Sequence, residues 1–520
     1  MDATKITCEP QPHLTLDSDL ATINELLIEP LTAVTFLEII TTVTIQSNDI
    51  ITFSFIKMTI RPPFGHRMRD THFQFSSSYT PLNHGSFGAY PRPIQQAQDA
   101  FQKQCTERPS TFYVYDLPEL IDQSREAVAP LLGADPKEVV LIPNATTGVN
   151  TVLRNLKWEE GDMIVYFSTI YDACEKTIES VREMLGVEVA TYCQVLEFPI
   201  NEESKLGEFK EFVELVKAMG TKVKLAIFDT VLTFPGVRMP WEKLVQICKE
   251  LGVLSLIDGA HGIGHIDLTH LGSVSPDFFV SNCHKWLYTP RSCAVFYVPL
   301  RNQHLIRTSL PTSHGYRKIS ENDTLEDINN YFVSMFNFVA TIDYTPYLCI
   351  PAAISFRNTI CGGEASIRQY CFDLAKTGGN LCASTLNTHT LPILPGRETF
   401  FTNIKLPISF LRESNDKSHA TSETTAFKPA DAEKIKVWLN KTAVKEFDTY
   451  LQIGWHANVL WVRLSAQIYL ELRDFEWVGE KLKGLCERVN EGEVEGTKRV
   501  DLAGVPEAQS SFICGSACDD

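Results

Sequence analysis

The sequence predicts an α/β protein: a largely parallel sheet flanked by helices, followed by a smaller α+β C-terminal domain. Three observations carry this. From about Thr71 onward, short runs rich in Val, Ile and Phe alternate with amphipathic stretches. The runs are apolar throughout, as strands covered on both faces require. After about Asp343 the order changes to helices and then strands.

Taken in order, VVLIP (139–143) is a buried strand, and NATTGVNTVLRNL leads from a loop into a helix. MIVYF (163–167) is the next strand, with EKTIESVREML helical after it. KLAIFDT is a third strand, followed by WEKLVQICKELG, an amphipathic helix closed by Gly252. VLSLIDGAHG runs from strand to turn, DFFVSNCHKW ends a further strand, and CAVFYV (293–298) lies beside it. In the second part IPAAISFRNTI and EASIRQYCFDLAKTGGNLCASTL are helical, and FFTNIKLPI and NVLWVRLSA are strands.

The expected organisation is an extension over 1–57, poorly ordered and outside the main fold, then an N-terminal arm over 58–110. A large domain follows over 111–345 and a small one over 346–488, with a mobile Ser/Thr/Asn/Asp-rich loop at about 411–428. Residues 489–520 mix Gly, Glu and Ser without period and are expected to be a disordered tail. The extension opens on acidic and polar residues and does not resemble a signal peptide. Its apolar stretch 31–45 contains Glu38 and is too short to span a bilayer.

Over 520 residues, 47 basic against 64 acidic side chains leave a net charge of −17. This argues against nucleic acid or an anionic membrane as the main partner and leaves room only for a local anion site. The fourteen cysteines are scattered singly, without zinc-like pairs, so reduced thiols, a cytoplasmic location and no metal are expected.

In open α/β sheets ligands bind at the carboxyl ends of the strands. Those ends carry Asn144 to Gly148, Ser168 to Tyr171, Asp229-Thr230, Asp258 to His261, and Asn282 to Lys285. Pyridoxal 5′-phosphate uses all of these together. Its aldehyde needs a lysine amine, for which Lys285 is the candidate. Its pyridine nitrogen needs a buried carboxylate, and Asp258 follows the strand VLSLI. Its phosphate needs N–H groups at a helix start, supplied by Ala145, Thr146 and Thr147, with Asn282 and His284 adding donors. Its ring needs a stacking aromatic, Tyr171. Asp229 is the second carboxylate at these ends. Singly, each has a plainer reading: Asp258 as a helix cap, Tyr171 as core, the threonines as an N-terminal cap. Their order at successive strand ends is what argues for the cofactor.

The ordered set NATTGVNTVL, STIYDAC, DTVLTFPGVRMP, DGAHGIGHID and NCHKWLYTPR resembles the class V aminotransferase superfamily. PLNHGSFGAYP (81–91), PTSHGY and VRLSAQIY narrow the resemblance to the isopenicillin N epimerase-like branch. Within it the chain looks most like fungal hercynylcysteine sulfoxide lyases and related alkaloid-pathway enzymes, over roughly residues 60–486. The resemblance implies a PLP fold type I (aspartate aminotransferase-like) architecture and a homodimer with shared sites. It implies that Lys285 binds the cofactor aldehyde, His284 helps hold the phosphate, Asp258 pairs with the pyridine nitrogen and His261 sits near the ring hydroxyl. It further implies that Arg463 grips the substrate carboxylate, with Asn83 and His84 also at the substrate, and that Thr341 of a neighbouring subunit reaches the phosphate. Three positions depart from the pattern: Ala340 where a glycine is usual, Val114 where a basic residue is common, and Leu470 where a polar residue is usual.

The expected reaction is β-elimination at a cysteine-conjugate sulfoxide, with Lys285 as the base at Cα. Cys174, three residues beyond Tyr171, is a candidate trap for the departing sulfenic acid, or else a small buried thiol. Epimerisation or alkaloid-type carbon–carbon bond formation is the alternative, and a non-catalytic scaffold a third.

Overall fold

Seven strands, ordered β3-β9-β8-β7-β6-β4-β5, form the central sheet of the computed structural model. The described residues are 36–46, 50–59, 64–186, 188–196, 198–320, 322–411 and 425–501. Strands β1 (Phe36–Gln46) and β2 (Ile50–Thr59) pair as an antiparallel ribbon. The rest of the 1–57 extension, 412–424 of the loop and 502–520 of the tail lie outside the described residues.

The central strands are β3 (Val139–Ile142), β4 (Asp162–Phe167), β5 (Ala190–Gln194), β6 (Lys222–Asp229), β7 (Leu254–Asp258), β8 (Phe278–Asn282) and β9 (Ala294–Tyr297). All run one way except β9, which is antiparallel to β3 and β8. The period of two sorts their side chains between two cores. Leu225, Leu256 and Phe278 face one. Ala226, Ile257 and Phe279 face the other. Burial on both faces is why these strands read as continuous apolar runs.

The helices that position the site are α1 (His84–Phe87), α2 (Arg92–Glu107), α3 (Ala145–Asn155), α4 (Asp172–Met184), α5 (Glu202–Ala218), α6 (Trp241–Leu251) and α7 (Cys283–Trp286). Asn144 caps α3, its Oδ1 accepting from Thr147 N–H at 2.8 Å. A Cβ on Gly148 would come within 2.3 Å of Val280 Cγ1, so glycine lets α3 lie directly on β8.

The second part holds α8 (Ile350–Thr359), α9 (Glu364–Thr385), β10 (Phe401–Lys405), β11 (Thr425–Ala426), α10 (Ala432–Phe447), β12 (Gln452–His456), β13 (Val459–Ser465), α11 (Leu472–Asn490) and β14 (Val500–Asp501). Here the sheet is antiparallel, β10-β13-β12, and β11 pairs with β14. Strands β5 and β12 and helices α2, α5, α10 and α11 are among the elements not anticipated. β5 is a half-exposed edge strand without an apolar run, and Gly454 interrupts β12. Among the described residues no helix is long and apolar enough to cross a membrane, and no cluster of three or more His, Cys, Asp or Glu could hold a metal.

Candidate active site

β6, β7 and β8 end side by side, and each leaves a polar residue at its last position. Asp229 and Asp258 are paired in register on neighbouring strands, both buried. β8 ends at Asn282 and turns straight into α7, which carries His284, Lys285 and Trp286. Burial brings the Lys285 ammonium pKa down to about 8, with Asp258 and Asp229 opposing the fall and Arg463 adding to it. Burial raises Asp258, against an N–H from Ala260 at 2.9 Å and the field of Lys285. Asp229 lies well above the ordinary carboxyl range, through burial and then the neighbouring Asp258. The pair therefore holds less than two full charges beside the amine.

Cys174 on α4 points its Sγ at Asp258 Oδ2, 3.3 Å away. Burial, then Asp258 and Asp229, push its thiol far above the usual range. In this state it is a hydrogen-bond donor; trapping sulfur would require its release from Asp258 and ionisation.

His261 sits between three partners. Trp286 Nε1 is 3.2 Å from its Nδ1, Lys285 Nζ is 3.2 Å from its Nε2, and Thr233 Oγ1 is 3.4 Å from that same nitrogen. His84 Nε2–H donates to Lys285 O at 2.6 Å, and its Nδ1 accepts from Tyr469 OH at 2.8 Å. His84 thus clasps the backbone of the lysine turn. The same close approach explains Gly88: at φ +67°, a Cβ there would be 1.8 Å from His284 O.

Arg463 on β13 is fully buried yet has no carboxylate among its hydrogen-bond partners. Its Nη1 donates to Thr233 O, and its Nη2 donates to Asn83 Oδ1 at 3.0 Å and Ser86 Oγ at 3.3 Å. Its plane lies 4.3 Å over the Phe401 ring, and its Nε has no partner. Burial draws its pKa down to about 9. A buried cation with an orphaned N–H is built for an anion.

The helix start is partly committed within the chain. Ala145 N–H donates to Asn282 Oδ1 at 2.9 Å and Thr147 N–H to Asn144, so neither N–H is free for an anion, while the Asn282 amide retains its Nδ2–H donors. Thr146, at the first turn, makes no such cap bond through its N–H. His284 Nδ1 lies 3.0 Å from Cys293 O, and burial brings its pKa down to about 4. Tyr171 is 44% exposed at the start of α4, where a flat ligand would meet it. Thr341 is exposed on the loop before Tyr344, and no hydrogen bond joins it to this group.

Sequence reading overlooked Ser86, Thr233, Phe401 and Trp286. Ser86 and Thr233 lie inside the quoted stretches PLNHGSFGAYP and DTVLTFPGVRMP, and Trp286 is next to the lysine. Phe401 carried no signal.

These residues fit pyridoxal 5′-phosphate. A half-buried amine would meet the aldehyde, a buried carboxylate pair a pyridinium, and the exposed tyrosine a flat ring. The orphaned Arg463 Nε leaves a place for a carboxylate.

Comparison with known proteins matches residues 96–333 to the class-V aminotransferase family model. The L-cysteine desulfhydrase-like protein lolT1 of Epichloe uncinata is 35% identical, over 82% of this chain and 97% of its own. The hercynylcysteine sulfoxide lyase of Schizosaccharomyces pombe is 29% identical, over 81% and 98%. The isopenicillin N epimerase of Streptomyces clavuligerus is 27% identical, over 61% and 78%. Among solved structures, the cystine C–S lyase C-DES in complex with cysteine persulfide shares the fold, with a TM-score of 0.59 at 18% identity, over 78% and 97%.

Proposed function

The chain belongs to the class-V aminotransferase family, and we propose that, as a pyridoxal 5′-phosphate-dependent lyase of that family, it cleaves the C–S bond of a cysteine-conjugate sulfoxide. The substrate would be of the hercynylcysteine sulfoxide kind and the pathway ergothioneine biosynthesis, as in the relative bearing that name. The observation that carries the reading is a half-buried lysine, Lys285, whose amine pKa is brought down to about 8, sharing one site with Arg463, a buried cation that lacks a carboxylate. A free amino acid supplies both missing partners.

When bound, the cofactor supplies an electron sink for the pair left at Cα. Arg463 holds the substrate carboxylate through its free N–H edge, while Phe401 fixes the guanidinium plane from below. Lys285, lowered to about 8, takes the Cα proton on its free-base Nζ. The Cβ–S bond then breaks, the sulfur leaves with the bonding pair and takes up a proton as a sulfenic acid, and water hydrolyses the three-carbon remainder to pyruvate and ammonia. Asp258 would pair with the pyridine nitrogen, and the Cys174 S–H donates to its Oδ2 at 3.3 Å.

The protein is further read as a cytoplasmic homodimer. Val114 and Tyr115, 61% and 74% exposed on the stretch Phe112–Asp116, and the exposed Thr341 support a partner surface. Sedimentation of the loaded protein tests the dimer.

Mass spectrometry of the loaded protein with hercynylcysteine sulfoxide and an added thiol, which reduces the released sulfenic acid and is itself oxidised to a disulfide, follows ergothioneine and pyruvate together and tests the reaction. Both should form, and neither with Lys285→Ala. A yellow, folded protein that forms neither would overturn the substrate. Racemised amino acid without pyruvate would instead favour the epimerase chemistry of the 27% identical relative.

A further inference from the structure

A neutral imidazole has one donor nitrogen and one acceptor nitrogen. Around His261 two potential donors compete for that single acceptor. Trp286 Nε1–H, which can only donate, lies 3.2 Å from Nδ1. Lys285 Nζ lies 3.2 Å from Nε2. Were Lys285 an ammonium donating to Nε2, the His261 proton would sit on Nδ1 and face the indole N–H. Trp286 is completely buried, and among the described residues its N–H has no other partner. The indole therefore has first claim on Nδ1.

We propose that Trp286 is a positioning residue that fixes His261 in the Nε2–H tautomer, so that the imidazole donates to Lys285 Nζ and holds that amine as the free base. This rests on reading Lys285 as the amine that meets the cofactor aldehyde. The free base is the form that attacks an aldehyde: its lone pair forms the N–C bond, and water leaves with the carbonyl oxygen. The Thr233 hydroxyl, 3.4 Å from Nε2, accepts from the same N–H when the amine is consumed.

The other groups that face the amine are Asp258 on β7, Asp229 on β6, Cys174 on α4 and Arg463 on β13. Those that face His261 are Lys285, Arg463, His265 and His284. The two carboxylates favour an ammonium, and Arg463 opposes it. Burial keeps His261 uncharged, so its tautomer is the remaining choice, and only Trp286 makes it. His265 cannot substitute, because its Nδ1 is 2.9 Å from His261 O and its Nε2 accepts from Phe400 N–H.

Two measurements on the full-length chain test this. The first is long-range proton–nitrogen NMR of histidine-labelled protein without cofactor, with His261 assigned by the signal lost in His261→Phe. The pattern of an Nε2-protonated, Nδ1-accepting ring is expected; an Nδ1–H or doubly protonated ring overturns the proposal. The second is the pH dependence of covalent pyridoxal 5′-phosphate uptake, followed by visible absorbance. Trp286→Phe frees Nε2 to accept from an ammonium, so the pH midpoint of uptake should rise by about one unit, a tenfold slower uptake near neutral pH. In a His261→Phe background the same substitution should shift nothing. An equal shift in both backgrounds would make the indole a packing group and overturn the proposal, as would no shift in either. If Trp286→Phe does not fold, the wild-type NMR pattern decides. Wild-type protein that takes up no cofactor defeats the lyase reading and leaves the tautomer measurement standing.

Discussion

A buried guanidinium needs every N–H satisfied, yet Arg463 leaves its Nε open and draws only on neutral oxygens. In the proposed reading, removing its fork removes the partner of the substrate carboxylate. Arg463→Lys should raise KM for the amino-acid substrate about 100-fold while the cofactor spectrum stays unchanged. A spectrum lost together with binding would place Arg463 in the scaffold instead. Ala340 poses the opposite problem. Its φ of +112° is a region that a Cβ resists and glycine does not. Ala340→Gly should stabilise the fold by about 1 kcal/mol in urea titration, and a loss of stability would show that the surroundings hold the methyl. Lysine, aspartate and histidine at strand ends were legible because few side chains belong there without a task. Phe401, Ser86 and Thr233 were not, because they reach Arg463 from segments that meet only in the folded chain.

At the scale of elements, the lysine turn is pinned from the second part of the chain. Arg357 on α8 donates Nη1 to Trp286 O at 2.7 Å and Nη2 to Gly264 O at 2.9 Å. Its charge is met by Glu364 at the start of α9, with Nη2 to Oε2 at 2.6 Å and a second bond from Nε. Arg357 is fully buried and stacks over Tyr288 at 4.8 Å. Removing Glu364 strands that charge, so Glu364→Ala should cost about 3–5 kcal/mol in urea titration. A cost below about 1 kcal/mol would mean that water reaches the pair. The strand–helix alternation of the central sheet was readable because two-sided burial writes continuous apolar runs. The clamp was not, since an arginine in the helix IPAAISFRNTI looks like any solvated helix residue. Edge strand β5 was missed for the same reason in reverse: half-exposed residues leave no pattern.

At the scale of the whole molecule, three buried imidazoles and the half-buried His284 shape how the cofactor-free protein responds to acid. Burial brings His84 down to about 3 and His284 to about 4, and holds His261 and His265 well below the ordinary value. Below about pH 6.5 the unfolded chain binds protons at these four sites and the folded chain does not. Stability therefore falls as pH drops through that window. Asp229 and Asp258 act the other way: raised by burial, they keep protons in the fold that the unfolded chain has already lost. The histidines outnumber the two carboxyls, so the balance is a net loss of stability as pH falls from 6.5 to 4.5. Glu364 adds to the loss at the lower end, because Arg357 outweighs burial and keeps it below its ordinary range. The urea midpoint of the cofactor-free protein should fall steadily from pH 6.5 to 4.5. His265→Gln should flatten that slope by up to about 1 kcal/mol per pH unit, since it removes one imidazole from the balance. A midpoint independent of pH across the window would mean that these histidines open to water and take up protons without unfolding.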